Sequence, residues 1–222
     1  MRMRAVVGLL AIELFGEPLP IADFPRLPRF KGIGTSDAEG YAGRLSSSLD
    51  YSNTFFHKEP RLDITKVPSD LAGSLDFLIS SDVFEHVVPP ISAAFTGARR
   101  LLKPGGLFVL TVPFRAVGSE TVEHFPELHD WSLTKRSDDT WRLDNRRKDG
   151  VVETFTDLGF HGGEGATLEM RIFTQDSLLM ELDRAGFQDV RIAGEAIPEI
   201  GVIWPEPPDR RANKSLPVIA RA

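Results

Sequence analysis

Two short apolar runs, Leu75–Ser81 (LDFLISS) and residues 107–112 (LFVLTV), constrain this chain more than any other feature. Each is nearly continuous in apolar side chains, the pattern of a strand buried on both faces. Between them Ile91, Ala94, Phe95, Ala98, Leu101 and Leu102 recur at helical spacing. Pro89 and Pro90 suit the opening of that helix, and Lys103-Pro104-Gly105-Gly106 stops it. Strand, helix and strand in this order predict a parallel sheet wound on both faces by helices.

The same alternation extends to both sides. Residues 30–34 predict a strand that runs into a Gly-x-Gly turn at Gly32 and Gly34. Ser36 and Glu39 read as a capping box for a helix carrying Tyr41, Ala42, Leu45 and Leu49. Residues 50–56 predict a second strand and residues 62–64 a brief third. Later, Thr174 is an N-cap with Asp176 in the first turn, Leu178, Leu179 and Leu182 mark the helix face, and Gly186 ends it. Residues 187–193 and 216–220 predict the last two strands, the final one antiparallel. The chain thus reads as α/β, a doubly wound, mostly parallel, seven-stranded sheet in one domain over residues 1–222. Residues 1–29 form a lead-in, read as a buried apolar segment and a proline-rich stretch. Residues 114–172 break the alternation after the fifth strand. There Asp149-Gly150 predicts a hairpin.

In such sheets ligands bind beyond the carboxyl ends of the strands, near the topological switch point. Residues that follow strands are therefore the candidates. With 222 residues and a net charge of −6, the chain carries no global positive field for nucleic acid. It has no cysteine, which excludes disulfides, thiolate metal sites and cysteine nucleophiles. No apolar run is long enough to span a membrane. These features predict a cytoplasmic protein whose partner is a small molecule.

The segment LDFLISSDVFEHV…ARRLLKPGGLFVLTVP resembles the middle of class I S-adenosylmethionine-dependent methyltransferases, and FTQDSLLMELDRAGFQDVRI resembles that family's late helix and strand. The strings FPRLPRFKGIGTSD, DYSNTFFHKEPRLDI and FHGGEGATLEMR are similar to a bacterial subgroup with no established substrate. The resemblance implies S-adenosyl-L-methionine as cofactor and a Rossmann-like methyltransferase fold. It places Asp82, flanked by Ser81 and Val83, beside the methionine part of the cofactor. Asp63 and the Ile64 N–H would face adenine, while Gly32 and Gly34 let backbone approach the ligand. Two departures stand out. No acid precedes Gly32 and no third glycine follows Gly34. No acid ends the second strand, where Asn53 or Thr54 stands in for the ribose contact or satisfies local backbone.

Methyl transfer needs nucleophile, carbon and sulfur held in line, and often a general base. His86, one turn past Asp82, is the first candidate, although a Glu-His pair here also serves helix docking. His124 beside Glu123 and His129 beside Asp130 lie in the 114–172 segment, which is expected to cover the acceptor site. His161, next to Gly162-Gly163, reads as a substrate loop or as a plain turn. No metal site is expected, since Glu123-His124-x4-His129-Asp130 is not a known ligand spacing. The expected function is methyl transfer to a small-molecule or glycan acceptor. The alternatives are a non-catalytic methyltransferase-like binding protein and an NAD(P)-linked oxidoreductase; Asp37 at the third glycine position argues against the latter.

Overall fold

A computed structural model describes residues 2–161, 167–203 and 213–222. The chain opens with helix α1 (Arg2–Phe15), then strand β1 (Leu27–Thr35), helix α2 (Glu39–Ser48), β2 (Leu49–Thr54) and β3 (Leu75–Ser81). Helix α3 (Ser92–Leu101) leads into β4 (Leu102–Thr111), whose first residues bulge before it regains register with β3 at Leu107. The middle of the chain holds short strands: β5 (Phe114–Arg115), β6 (Val122–Glu123), β7 (Asp130–Lys135), β8 (Trp141–Arg146), β9 (Val152–Phe155), β10 (Phe160–His161), β11 (Thr167–Leu168) and β12 (Arg171–Thr174). Helix α4 (Gln175–Arg184), β13 (Gln188–Ile192), β14 (Asn213–Lys214) and β15 (Val218–Arg221) complete it.

The main sheet has the order β2-β1-β3-β4-β15-β13. Strands β1 to β4 pair in parallel, and β15 runs antiparallel to both β4 and β13. Alternation along the strands sorts the two cores. Phe77, Ile79, Leu107 and Val109 face α1 and α2, while Leu78, Phe108 and Leu110 face α3 and α4. The lead-in is therefore a buried helix, with Ala5 to Ala11 packed on the sheet.

The described sheet has six strands, not the seven expected. Residues 55–61 alone separate β2 from the expected third strand, and a parallel neighbour needs a connection of about a dozen residues or more. A single bridge, Phe55 to Arg61, takes its place. The Asp63 carboxylate then accepts from Thr65 N–H (2.9 Å) and Thr65 Oγ1 (2.6 Å), which turns the chain. Leu62, Ile64 and Val67 are buried under α3. Gly97 of α3 makes this possible, because a Cβ there would lie 1.8 Å from the Ile64 carbonyl oxygen.

Two local readings also change. Gly32 and Gly34 are strand residues, paired in register with Tyr51 and Asn53 on β2. The turn comes later, at Ser36, which takes a left-handed φ of 59°. Helix α2 has Ala38 as its N-cap, with no side-chain capping bond, so Ser36 and Glu39 form no capping box. By contrast, Thr174 caps α4 in a reciprocal bond pair with Ser177, and Gly186 takes φ 85° at its end. The hairpin at Asp149-Gly150 joins β8 to β9, with Gly150 at φ 88°.

The middle segment builds the sheet β7-β8-β9 and the pair β10-β11 around Phe125, Leu143, Leu168 and Met170, while β5, β12 and β6 join β14 in a small sheet whose Phe114 and Phe173 pack into the main core. The expected polar loop at 201–214 and the glycines at 162–165 fall mostly or wholly outside the described residues.

Candidate active site

Strand order reverses between β1 and β3, so the crevice at the carboxyl ends of these two strands is the switch point. Asp82 leaves β3 there with φ 53°, a backbone region that non-glycine residues seldom occupy. Three contacts hold it. Its N–H donates to the Thr111 carbonyl (2.8 Å), Thr111 Oγ1 donates to Asp82 Oδ1 (3.1 Å), and Arg2 of α1 pairs with Oδ2. Ser81 bonds the Thr111 hydroxyl at 2.9 Å, and Val83 opens the turn at Phe84–His86. The Arg2 Nε is buried without a hydrogen-bond partner.

Asp37 lies just beyond β1 and is 5% exposed. Tyr51 Oη donates to its Oδ2 at 2.5 Å, while Asp37 Oδ1 and the Tyr41 hydroxyl are buried without hydrogen-bond partners. Burial pushes the Asp37 carboxyl up to about 6, against the opposing effect of the Tyr51 hydroxyl. Burial first, and the Asp37 charge second, raise both phenols above their usual range; Arg2 and Asp82 also act on Tyr41.

This pair explains the two glycines. A Cβ at Gly34 would sit 2.0 Å from the Tyr51 hydroxyl and 2.1 Å from Asp37 Oδ2, and one at Gly32 would strike the Phe77 ring at 2.1 Å. Because the two glycines carry no side chain, Tyr51 and Phe77 stack across β1, with centroids 6.1 Å apart. Asn53 holds the same turn from β2. Its Oδ1 accepts from Asp37 N–H and its Nδ2 donates to Asp37 O, both at 2.8 Å. Thr54 Oγ1 donates to the Gly34 carbonyl (2.8 Å). Both stand-ins for the missing acid therefore engage local backbone. Asp63 likewise serves its own turn through Oδ1, and Ile64 is buried beneath Gly97.

The histidines sort differently. His86 and His124 come together with His161, which the sequence leaves as a substrate loop or a plain turn, with Glu85 of the Glu-His pair, and with Glu169, which no sequence signal singled out. His86 Nδ1 lies 2.8 Å from the Leu168 carbonyl oxygen and His86 Nε2 lies 3.0 Å from His161 Nδ1. His161 Nε2 is 3.3 Å from Glu169 Oε2, and His124 Nε2 is 3.2 Å from Glu169 Oε1. Glu85 is fully buried, with neither carboxylate oxygen hydrogen-bonded. Burial raises its pKa, and the Glu85 carboxylate in turn raises that of His161. Arg171, also fully buried, donates to Glu123 Oε1 (2.6 Å) and to the carbonyls of Phe84 (2.8 Å) and Val87 (2.6 Å). His129 stands outside this cluster. It is exposed, and its backbone N–H donates to Asn145 Oδ1 at 2.9 Å.

A depression of about 250 Å³ between the turn at 65–67 and α3 is lined by none of the expected site residues.

A family model described as a methyltransferase domain matches residues 36–192. No curated protein sequence matches the chain. Among solved structures, an S-adenosylmethionine-dependent methyltransferase from Clostridium acetobutylicum is similar over 100% of this chain and 92% of its own, with 10% identity and a TM-score of 0.53. The CurJ carbon methyltransferase is similar over 99% of this chain and 54% of its own, with 15% identity and a TM-score of 0.50. At such identities the likeness concerns the fold. Since the family model spans well over half of its residues, the chain belongs to the methyltransferase-domain family.

Proposed function

We propose that this chain transfers a methyl group from S-adenosylmethionine to a small-molecule or glycan acceptor, in the cytoplasm. One observation carries the reading beyond family membership. At the switch point Asp82 and Arg2 are paired, with Arg2 Nε, Asp37 Oδ1 and the Tyr41 hydroxyl buried nearby and unpartnered. The methionine part of the cofactor has a carboxylate, an ammonium and a sulfonium, so it offers opposite charges to Asp82, Asp37 and Arg2 and a hydrogen-bond acceptor to the Tyr41 hydroxyl. When bound, the cofactor supplies a methyl already activated by its sulfonium.

The roles of the chain's own residues follow. Asp82, between Ser81 and Val83, faces the positive charges, and Arg2 takes the carboxylate. Asp63 Oδ2 and the Ile64 N–H serve the adenine. Asn53 acts through the turn it holds, and Gly32 and Gly34 through the close packing that seats Asp37. On the acceptor side, His124 is the proton acceptor, oriented by Glu169 in the manner of a histidine–carboxylate dyad. The 114–172 segment covers the acceptor. His86 and His129 are the alternative bases. His86 has both ring nitrogens directed at protein atoms, and His129 is exposed away from the cluster.

Asp82→Ala is expected to weaken S-adenosylmethionine binding about tenfold or more. His124→Ala leaves that affinity in place and lowers turnover about a hundredfold. Calorimetry checks the first, and S-adenosylhomocysteine release over a panel of hydroxylated molecules and oligosaccharides checks the second. The reverse pattern contradicts the placement. A second reading, cofactor binding without turnover, is favoured by the engagement of Asn53 and Thr54 in local backbone contacts. Tight binding with no release on any acceptor would support it.

A further inference from the structure

We propose that Glu85, His86 and His161 bind a divalent transition-metal ion of the zinc class, a site that methyl transfer by itself does not call for. The three donor atoms already form a triangle. His86 Nε2 is 3.0 Å from His161 Nδ1, and Glu85 Oε1 is 3.7 Å and 3.5 Å from these two nitrogens. Ligands at zinc-like bond lengths of about 2.1 Å lie about 3.4 Å apart at tetrahedral angles and about 3.0 Å apart at right angles. The triangle therefore has nearly the dimensions of one face of a coordination polyhedron.

The outer hydrogen bonds fix which atoms point inward. The Leu168 carbonyl can only accept, so His86 Nδ1 carries the proton and Nε2 presents its lone pair. His161 Nε2 lies 3.3 Å from Glu169 Oε2, within ion-pair reach, and a proton carried on Nε2 leaves the Nδ1 lone pair free for a metal. In that state His86 Nε2, His161 Nδ1 and the Glu85 carboxylate, wholly buried with neither oxygen hydrogen-bonded, stand together as three ligand atoms. Three acceptors facing one another repel, and either a metal ion or a proton between them offsets that repulsion. Histidine ligands held by a carbonyl and by a carboxylate are the second layer that metal sites use. Here Glu169 is itself steadied by His124.

The site is also held from outside. Arg171 binds the carbonyls on both sides of the Glu85 turn, and Met170 N–H donates to the Glu85 carbonyl (2.8 Å). Two imidazoles and one carboxylate suit zinc, iron(II) or cobalt(II), whereas magnesium and calcium take oxygen ligands. Three protein ligands leave a position open for water or an oxygen of a bound molecule. Because His161 belongs to β10 and Glu85 follows β3, the ion also ties the middle segment to the main sheet.

The test uses the full chain, stripped with chelator. Titration with cobalt(II), followed by visible absorption, is expected to show one ion per chain, displaced by zinc(II). Zinc(II) at about a hundredfold excess over its Kd is expected to raise the melting midpoint by about 5 °C or more. His161→Ala, at the edge of the cluster, keeps the parent's far-ultraviolet circular dichroism and loses binding about a hundredfold or more. Glu169→Gln leaves all three ligands in place and weakens binding about ten- to a hundredfold. The proposal is overturned if neither ion saturates below about 100 μM, in which case a proton shared by the two histidines fills the centre. It is equally overturned if parent, His161→Ala and Glu169→Gln bind alike.

Discussion

Asp37 shows how one residue can be misread by position and corrected by surroundings. In the sequence it marks where a third glycine is missing. In the fold it is a buried acid shared with Tyr51 and seated in the space that Gly34 leaves empty. Its titration gives a prediction with a definite sign. The folded-state pKa of about 6 lies above the ordinary aspartate value of 3.8, so the folded chain binds this proton more tightly than the unfolded chain. Stability from this group is therefore greatest below pH ~4 and falls as pH rises to about 6. Above that, the buried charge costs up to about 3 kcal/mol. Asp37→Asn keeps an acceptor for Tyr51 and removes the charge. The variant's melting midpoint relative to the parent is expected to climb from pH 4 to pH 6.5 and then level off. A difference that does not change with pH contradicts this.

At the scale of elements, legibility followed the range of the interaction. The runs 75–81 and 107–112, the helix between them and the cap at Thr174 were readable because apolar spacing and capping act within a few residues. The third strand was not, because the rule that excludes it is a connection length and no property of residues 62–64. Nor was the histidine cluster, since it forms only when β10 and β11 pair and bring His161 and Glu169 back to Glu85 and His86. The adjacent Glu85-His86 was the one local signal. Helix α3 and the turn at 62–67 make a testable pair. Gly97→Ala places a methyl against the Ile64 carbonyl, and destabilisation of about 1–3 kcal/mol is expected in denaturant unfolding. A neutral result contradicts the close approach of the turn to α3.

For the whole molecule, helix α1 links the middle of the sheet to its β13 edge. Arg2 reaches Asp82 at the carboxyl end of β3, and Glu13 pairs with Arg191 of β13 and Arg221 of β15. The lead-in thus supplies one wall of the crevice, a role that composition alone could not assign to an apolar segment. The segment 75–113 fixes the sheet and the position of Asp82. The proposed acceptor side lies where this core meets the 114–172 segment, through Arg171 and the histidines. The central claim is that the crevice between β1 and β3 binds S-adenosylmethionine. Isothermal titration calorimetry with S-adenosylhomocysteine measures this most directly. Saturable one-to-one binding, weakened by both Asp82→Ala and Arg2→Ala, is the predicted result. Absence of heat at high micromolar ligand, or binding untouched by either substitution, would contradict it.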